Sequence, residues 1–262
     1  MVFPVLLQSL LPRLGFAWST RILGFILLGL AVPANLWIRA RLAFLSPAGG
    51  EKGRRMQSVW PDFTIFRDKC FAASAVGIFF MEWGIFIPLT FIVSYAAAHG
   101  QDATEAYTLL TLLNAGSVVG RLAPSLMADR LGRFNVIIVT IALSAAAVLG
   151  IWLPAGDSHG ALVAFAVFFG FASGSNLGLI AVCLGQLCEP GEYGRFFSTA
   201  MMVASFGTLS SVPIGGALVG LGSGEAGWTA VILFSGASYC MALVCYAAAR
   251  VLAVGWRLSA VF

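Results

Sequence analysis

The sequence predicts an all-α protein embedded in a lipid bilayer, and three observations carry that expectation. Of its 262 residues, 60% are hydrophobic and only 10% are charged, against about 25% charged residues in a typical soluble domain. Residues 134–156, 160–188, 196–224 and 226–249 contain no Asp, Glu, Lys or Arg. Each run is long enough to cross the hydrocarbon core, which takes roughly 20 residues as a helix. The remaining basic residues are segregated, with thirteen of the fifteen on one side of an alternating topology.

Taken in order, an apolar stub at Met1–Leu11 is too short to cross, and seven complete spans follow it. They are expected at 18–38, 70–97, 106–127, 134–153, 160–184, 196–220 and 227–249. Ile22–Ile38 is free of charge, Cys70–Ala98 is interrupted only by Glu82, and Tyr107–Gly120 continues past Arg121. Alternation puts segments 39–69, 121–133, 189–195 and 250–262 on the basic side. Arg13 and Arg21 fall opposite, with Asp102, Glu105, Asp157 and Glu225. Cytoplasmic loops collect Lys and Arg, so the basic side and the C-terminus are expected in the cytoplasm. This asymmetry accounts for the net charge of +4 and the pI near 9.0 without nucleic acid as a partner. The partner expected of most of the surface is the lipid bilayer itself.

Residues 39–69 hold Arg39, Arg41, Lys52, Gly53, Arg54 and Arg55 and a Ser-Pro-Ala-Gly-Gly stretch at 46–50, which is linker composition. The division expected is therefore 1–38 as the end of a first helical bundle, 39–69 as a basic cytoplasmic linker, 70–250 as a six-helix bundle and 251–262 as a cytoplasmic tail. No secretory signal is expected, because the first fifteen residues lack a basic start and an A-x-A site.

Composition also argues against catalysis. Cys70, Cys183, Cys188, Cys240 and Cys245 form no C-x-x-C pair and read as small apolar residues. His99 and His159 sit in loops without metal-ligand spacing. No histidine lies inside a span, and no serine has a base at helical spacing, as a hydrolytic site would need. No enzyme activity, metal or cofactor is expected.

Small residues recur at helix-packing spacing: Gly116 and Gly120, then Gly170, Gly174 and Gly178, then Gly216 and Gly220. Such faces let helices approach closely in lipid. The polar residues inside the spans are few. Glu82 lies near the middle of its run and is a candidate proton carrier. Arg121 lies eight residues before Asp129, about 12 Å along a helix, deep enough to mark a pathway. Its guanidinium offers a planar fork to a carboxylate. Against these readings stand structural ones, with Glu82 holding helices together and Arg121 snorkelling or joining the cytoplasmic charges. Asn114 is a candidate for hydrogen bonding to a substrate. Asn176 and Gln186 are expected mainly to bond between helices.

The short loop Ser125-Leu-Met-Ala-Asp129-Arg130-Leu-Gly132-Arg133 joins two spans on the cytoplasmic side. Gly132 permits a tight turn, and Asp129 can pair with an arginine. The segment resembles the signature loop of the major facilitator superfamily, with Ser125 in place of the usual first glycine. A narrower resemblance rests on Phe79-Phe80, Gly84-Ile85-Phe86-Ile87-Pro88 and Ser94-Tyr95-Ala96. It extends through Asn114-Ala-Gly-Ser117-Val-Val-Gly120-Arg121-Leu-Ala-Pro124, Ala128-Asp129-Arg130-Leu-Gly132-Arg133-Phe134-Asn135 and Pro213-Ile214-Gly215-Gly216-Ala217-Leu218. Together these are similar to the second half of fungal monocarboxylate porter-like proteins.

That resemblance implies a chain that starts near the end of the fifth of twelve helices, with a first half missing. It implies transport of a small organic anion such as a monocarboxylate by alternating access, in the plasma membrane rather than an organelle membrane. In the family an arginine matching Arg121 is implicated in binding the anion. The aspartate that animal members place four residues earlier is Ser117 here. Asp129, Arg130, Gly132 and Arg133 are expected to stabilise one conformational state. Glu82 matches no motif position of the family; its place inside a span alone makes it the candidate for a coupling proton. The competing reading is a membrane fragment that does not transport and has an inert or regulatory pairing role.

Overall fold

A computed structural model describes residues 2–37, 62–222 and 224–255. The linker residues Arg39, Arg41, Lys52, Gly53, Arg54 and Arg55 and most of the expected tail lie outside the described residues. The chain divides into two compact units, Met1–Met56 and Gln57–Phe262.

The first unit is one helical element, α1 (Val2–Trp37), interrupted at Gly15, whose φ of 71° and ψ of 171° are not helical. The expected stub and first span are thus parts of one element with a glycine break. The portion Arg13–Trp37 is long and apolar enough to cross a membrane. Ser19 donates a hydrogen bond to the Gly15 carbonyl at 2.7 Å, satisfying an acceptor beside the break.

The second unit contains the other six spans. A 3-10 turn at Phe63–Arg67 leads into α2 (Lys69–Ala98), followed by α3 (Ala103–Leu131), α4 (Arg133–Ala147), α5 (His159–Gly174), α6 (Asn176–Gln186), α7 (Tyr193–Leu221) and α8 (Glu225–Val254). A π turn at Val148–Trp152 extends α4 to the full length of its span. α5 and α6 are one span broken at Ser175. The caps explain several boundaries: Asp68 accepts from the Cys70 amide at 2.9 Å at the start of α2, as an N-cap side chain should. Gly132, with φ of 95°, makes the one-residue joint between α3 and α4.

Two close helix pairs organise this unit, and both depend on missing Cβ atoms. On α2, Gly77 and Gly84 are two turns apart and receive the rings of Tyr246 and Tyr239 from α8. A Cβ would stand 2.9 Å and 2.7 Å from those rings. At the second pair, α3 crosses α5 backbone against backbone. A Cβ on Gly116 would lie 2.6 Å from the Val167 carbonyl oxygen, and one on Gly174 would lie 2.6 Å from that of Ser117. Cβ atoms on Gly120 and Gly170 would overlap the carbonyl oxygens of Phe171 and Leu113. The predicted Gly116, Gly120, Gly170 and Gly174 are therefore the seam. Gly178, Gly216 and Gly220 are not: each faces open space. On α7 the close contacts come instead from Gly207, against Phe79, and Gly215, against Ile87 and Phe91.

Pro88 shows how an irregular residue is accommodated in α2. It has no N–H to give the carbonyl four residues earlier, which belongs to Gly84. Ser235 of α8 donates to that oxygen at 2.8 Å. A neighbouring helix thus satisfies the freed backbone group, as a span in hydrocarbon requires.

Candidate substrate path and coupling residues

Arg121 lies on α3 with its side chain exposed, and no hydrogen bond or ion pair holds it among the described residues. Its face of α3 is poorly covered by the unit. Of the most apolar windows of the spans, 22% of the residues are buried in α3 and in α7, against 50% in α2 and 61% in the α5–α6 span. Asn114 is half-buried and lies seven residues, about two turns, before Arg121, which places both on one stripe. The Asn114 side-chain amide donates to the Leu110 carbonyl of its own helix at 2.8 Å.

Glu82 sits at the middle of α2, is only 5% exposed, and faces α7. Thr208 donates to its Oε2 at 3.1 Å and also reaches the Ala204 carbonyl at 3.2 Å. Two further bonds hold α7 here: Ser211 donates to the Trp83 carbonyl at 3.0 Å, and the Trp83 indole donates to Ser210 at 2.8 Å. No hydrogen bond or ion pair joins Glu82 to Arg121 among the described residues.

At the turn between α3 and α4, Asp129 and Arg130 are exposed, Arg133 is half-buried and Gly132 is buried. Asp129 forms no ion pair among the described residues, so the pairing that its sequence position allowed is not made. The turn is tied elsewhere. The Asn135 amide donates to the Leu131 carbonyl at 2.7 Å, and its Oδ1 accepts from Arg250 Nε of α8. Arg250 is only 6% exposed. The asparagine that stands where basic residues are usual thus receives an arginine from a helix 115 residues away.

Three other expectations meet the structure here. Asn176 is fully buried at the α5–α6 break, and neither its Nδ2 nor its Oδ1 has a hydrogen-bond partner among the described residues. Gln186 Oε1 is likewise unpartnered there. The interhelical bonds expected of both are not formed. His99 bonds through Nδ1 to the Tyr95 carbonyl at 2.8 Å and stacks on the Tyr95 ring, whereas His159 Nδ1 lies 3.0 Å from Gln101 Oε1. A carbonyl only accepts, so the Nδ1 of His99 carries the proton.

Sequence reasoning did not single out Asp62, Arg195, Thr199, Thr208 or Arg250. Hydroxyl residues and a terminal arginine carry no spacing signal. Their partners lie more than a hundred residues away in sequence.

Long apolar helices, polar groups satisfied by neighbouring helices, and glycine seams together define an integral, multi-pass membrane helix bundle. The chain belongs to the Major Facilitator Superfamily, whose family model matches residues 72–257. It is 42% identical over 98% of its length to the MFS-type transporter opdF of Penicillium oxalicum, covering 58% of that protein. It is 33% identical over 98% of its length to the riboflavin transporter MCH5 of Saccharomyces cerevisiae, covering 52% of it. The aspyridones efflux protein apdF of Emericella nidulans is 34% identical over 83% of this chain and is itself covered to 42%. The chain spans about half the length of the curated relatives it matches.

Proposed function

We propose that this chain forms the second half of a secondary transporter that moves a small organic anion, a monocarboxylate or related metabolite, across the plasma membrane by alternating access with a coupled proton. The observation that carries the reading is Arg121: an exposed guanidinium well inside a span, on one of the two least buried spans of the unit, with no ion-pair partner among the described residues. Charge at such depth usually marks a substrate or ion path. The path would lie along the stripe that Arg121 shares with Asn114. Relatives named for riboflavin transport and for aspyridone efflux agree with a small organic cargo. Glu82, buried and free of any basic partner among the described residues, would carry the proton. The turn at Asp129, Arg130, Gly132 and Arg133 would act as the cytoplasmic gate. Sites of this kind lie between two halves, so the chain works with a first-half bundle, on a longer form of the same polypeptide or on another one.

The test is Arg121→Gln, expressed from the native locus, with uptake of labelled small carboxylates as the readout. Loss of a charge-assisted fork should lower uptake by at least about tenfold while surface abundance stays within about twofold. Arg121→Lys should lie between, since a point charge keeps the attraction without the bidentate geometry. Unchanged uptake in Arg121→Gln removes Arg121 from the path.

A further inference from the structure

We propose that Arg195 is a positioning residue for transport: it ties the end of the basic loop to the first turn of α7 and so holds α7 in the register that places Thr208 on Glu82. This rests on the reading of Glu82 as the coupling group. The joint is made of several bonds. Asp62 Oδ1 accepts from the Thr64 amide at 2.9 Å and the Thr64 hydroxyl at 2.6 Å, shaping the 3-10 turn. Its other oxygen, Oδ2, lies 3.3 Å from Arg195, and Arg195 also donates to Glu192 at 2.8 Å. The Asp62 amide donates to the Thr199 hydroxyl at 3.1 Å, and that hydroxyl donates to the Arg195 carbonyl at 2.8 Å. Thr199 is fully buried. Above it, Phe71 of α2 packs edge-on against Phe66 and Phe196, at 5.3 and 5.1 Å.

The joint therefore grips α7 at its inner end, and the bonds from Thr208, Ser210 and Ser211 grip it again thirteen residues further on, about 20 Å along the axis. Slipping a helix by one residue turns its side chains by about 100°. A slip of α7 would carry Thr208 off Glu82 and bring a residue with a side chain to the place where only Gly207 fits against the Phe79 carbonyl. The ion pair is a third exposed on the arginine side, and pairs this wet contribute little stability. Its role is geometric. The Thr64 hydroxyl and amide, with the Arg195 guanidinium, hold the Asp62 carboxyl below its ordinary value of 3.8. The pair is present above that range and is lost only as pH falls through the lowered value.

The test is a double-mutant cycle. Asp62→Asn removes the charge but keeps an N-capping side chain, so the turn survives; Arg195→Gln removes the other charge. Each single variant should lower the maximal rate about fivefold with KM within about twofold, because neither residue touches substrate. The double variant should lose no more than either single one, as for a shared interaction. Independent losses that multiply to about 25-fold, or rates equal to wild type, overturn the proposal. Hydrogen exchange in nanodiscs gives a second readout that needs no substrate. Amides at 62–68 and 208–211 should exchange faster in each single variant and no faster again in the double. Equal protection in wild type and variants overturns the joint. If the wild-type protein carries no tested anion, the organic-anion reading fails, and the exchange cycle alone decides the role of Arg195.

Discussion

Gly120→Ala and Gly170→Ala are each expected to abolish most of the folded protein. The argument is one of sign. In a helix, alanine is favoured over glycine by about 1 kcal/mol, so an open site should gain stability. At these two positions the new methyl would occupy the place of a backbone carbonyl oxygen, of Phe171 and Leu113. Backbone cannot swing aside as a side-chain tip can, so α3 and α5 must separate along the whole seam. Overpacking a tight interface typically costs about 1–3 kcal/mol, and separation also forfeits the contacts at Gly116 and Gly174. The matching controls are Gly178→Ala and Gly216→Ala, which meet nothing within 4 Å and should be neutral or slightly stabilising. Size-exclusion profiles and thermal unfolding in detergent read the contrast directly. If all four variants behave alike, the seam is not where the structure puts it.

Glu82→Gln should leave the fold intact and flatten the pH dependence of transport. Glutamine keeps an acceptor for the Thr208 hydroxyl, and Thr208 has the Ala204 carbonyl as a second acceptor. Neither partner is stranded, so the stability cost should be small. What the substitution removes is the ability to gain and lose a proton. A carrier loaded from an acidic medium speeds uptake as external pH falls, and the amide has no such response. Measured across external pH, wild-type uptake should rise toward acid, whereas the variant should give a flat profile. Glu82→Leu, which also removes the acceptor, should behave like Gln in pH dependence. A retained acid response in Glu82→Gln leaves Glu82 a structural group between α2 and α7.

The spans were legible in the sequence because hydrocarbon imposes a length and forbids charge, and both are properties of contiguous residues. The four seam glycines were legible by spacing, since residues four apart share a helix face. The same spacing also selected Gly178, Gly216 and Gly220, which pack against nothing. Spacing says which residues share a face but not which neighbour the face meets. The candidate site divides the same way. Glu82 and Arg121 stand out because charge is costly in lipid, while Thr208, Ser210 and Ser211 look ordinary until α7 lies against α2.

The sequence by itself determined that this protein lives in a membrane, which stretches among the described residues are long and apolar enough to cross it, and where the rare charges inside those stretches fall. Only the tertiary structure decided that Glu82 meets Thr208, that Asn135 receives Arg250, that Asp62 is joined to Arg195, and that Asp129 makes no ion pair among the described residues. The physical reason is range. Transfer into lipid is decided residue by residue along the chain, whereas each of these contacts joins groups more than a hundred residues apart. Their geometry exists only once the helices have packed.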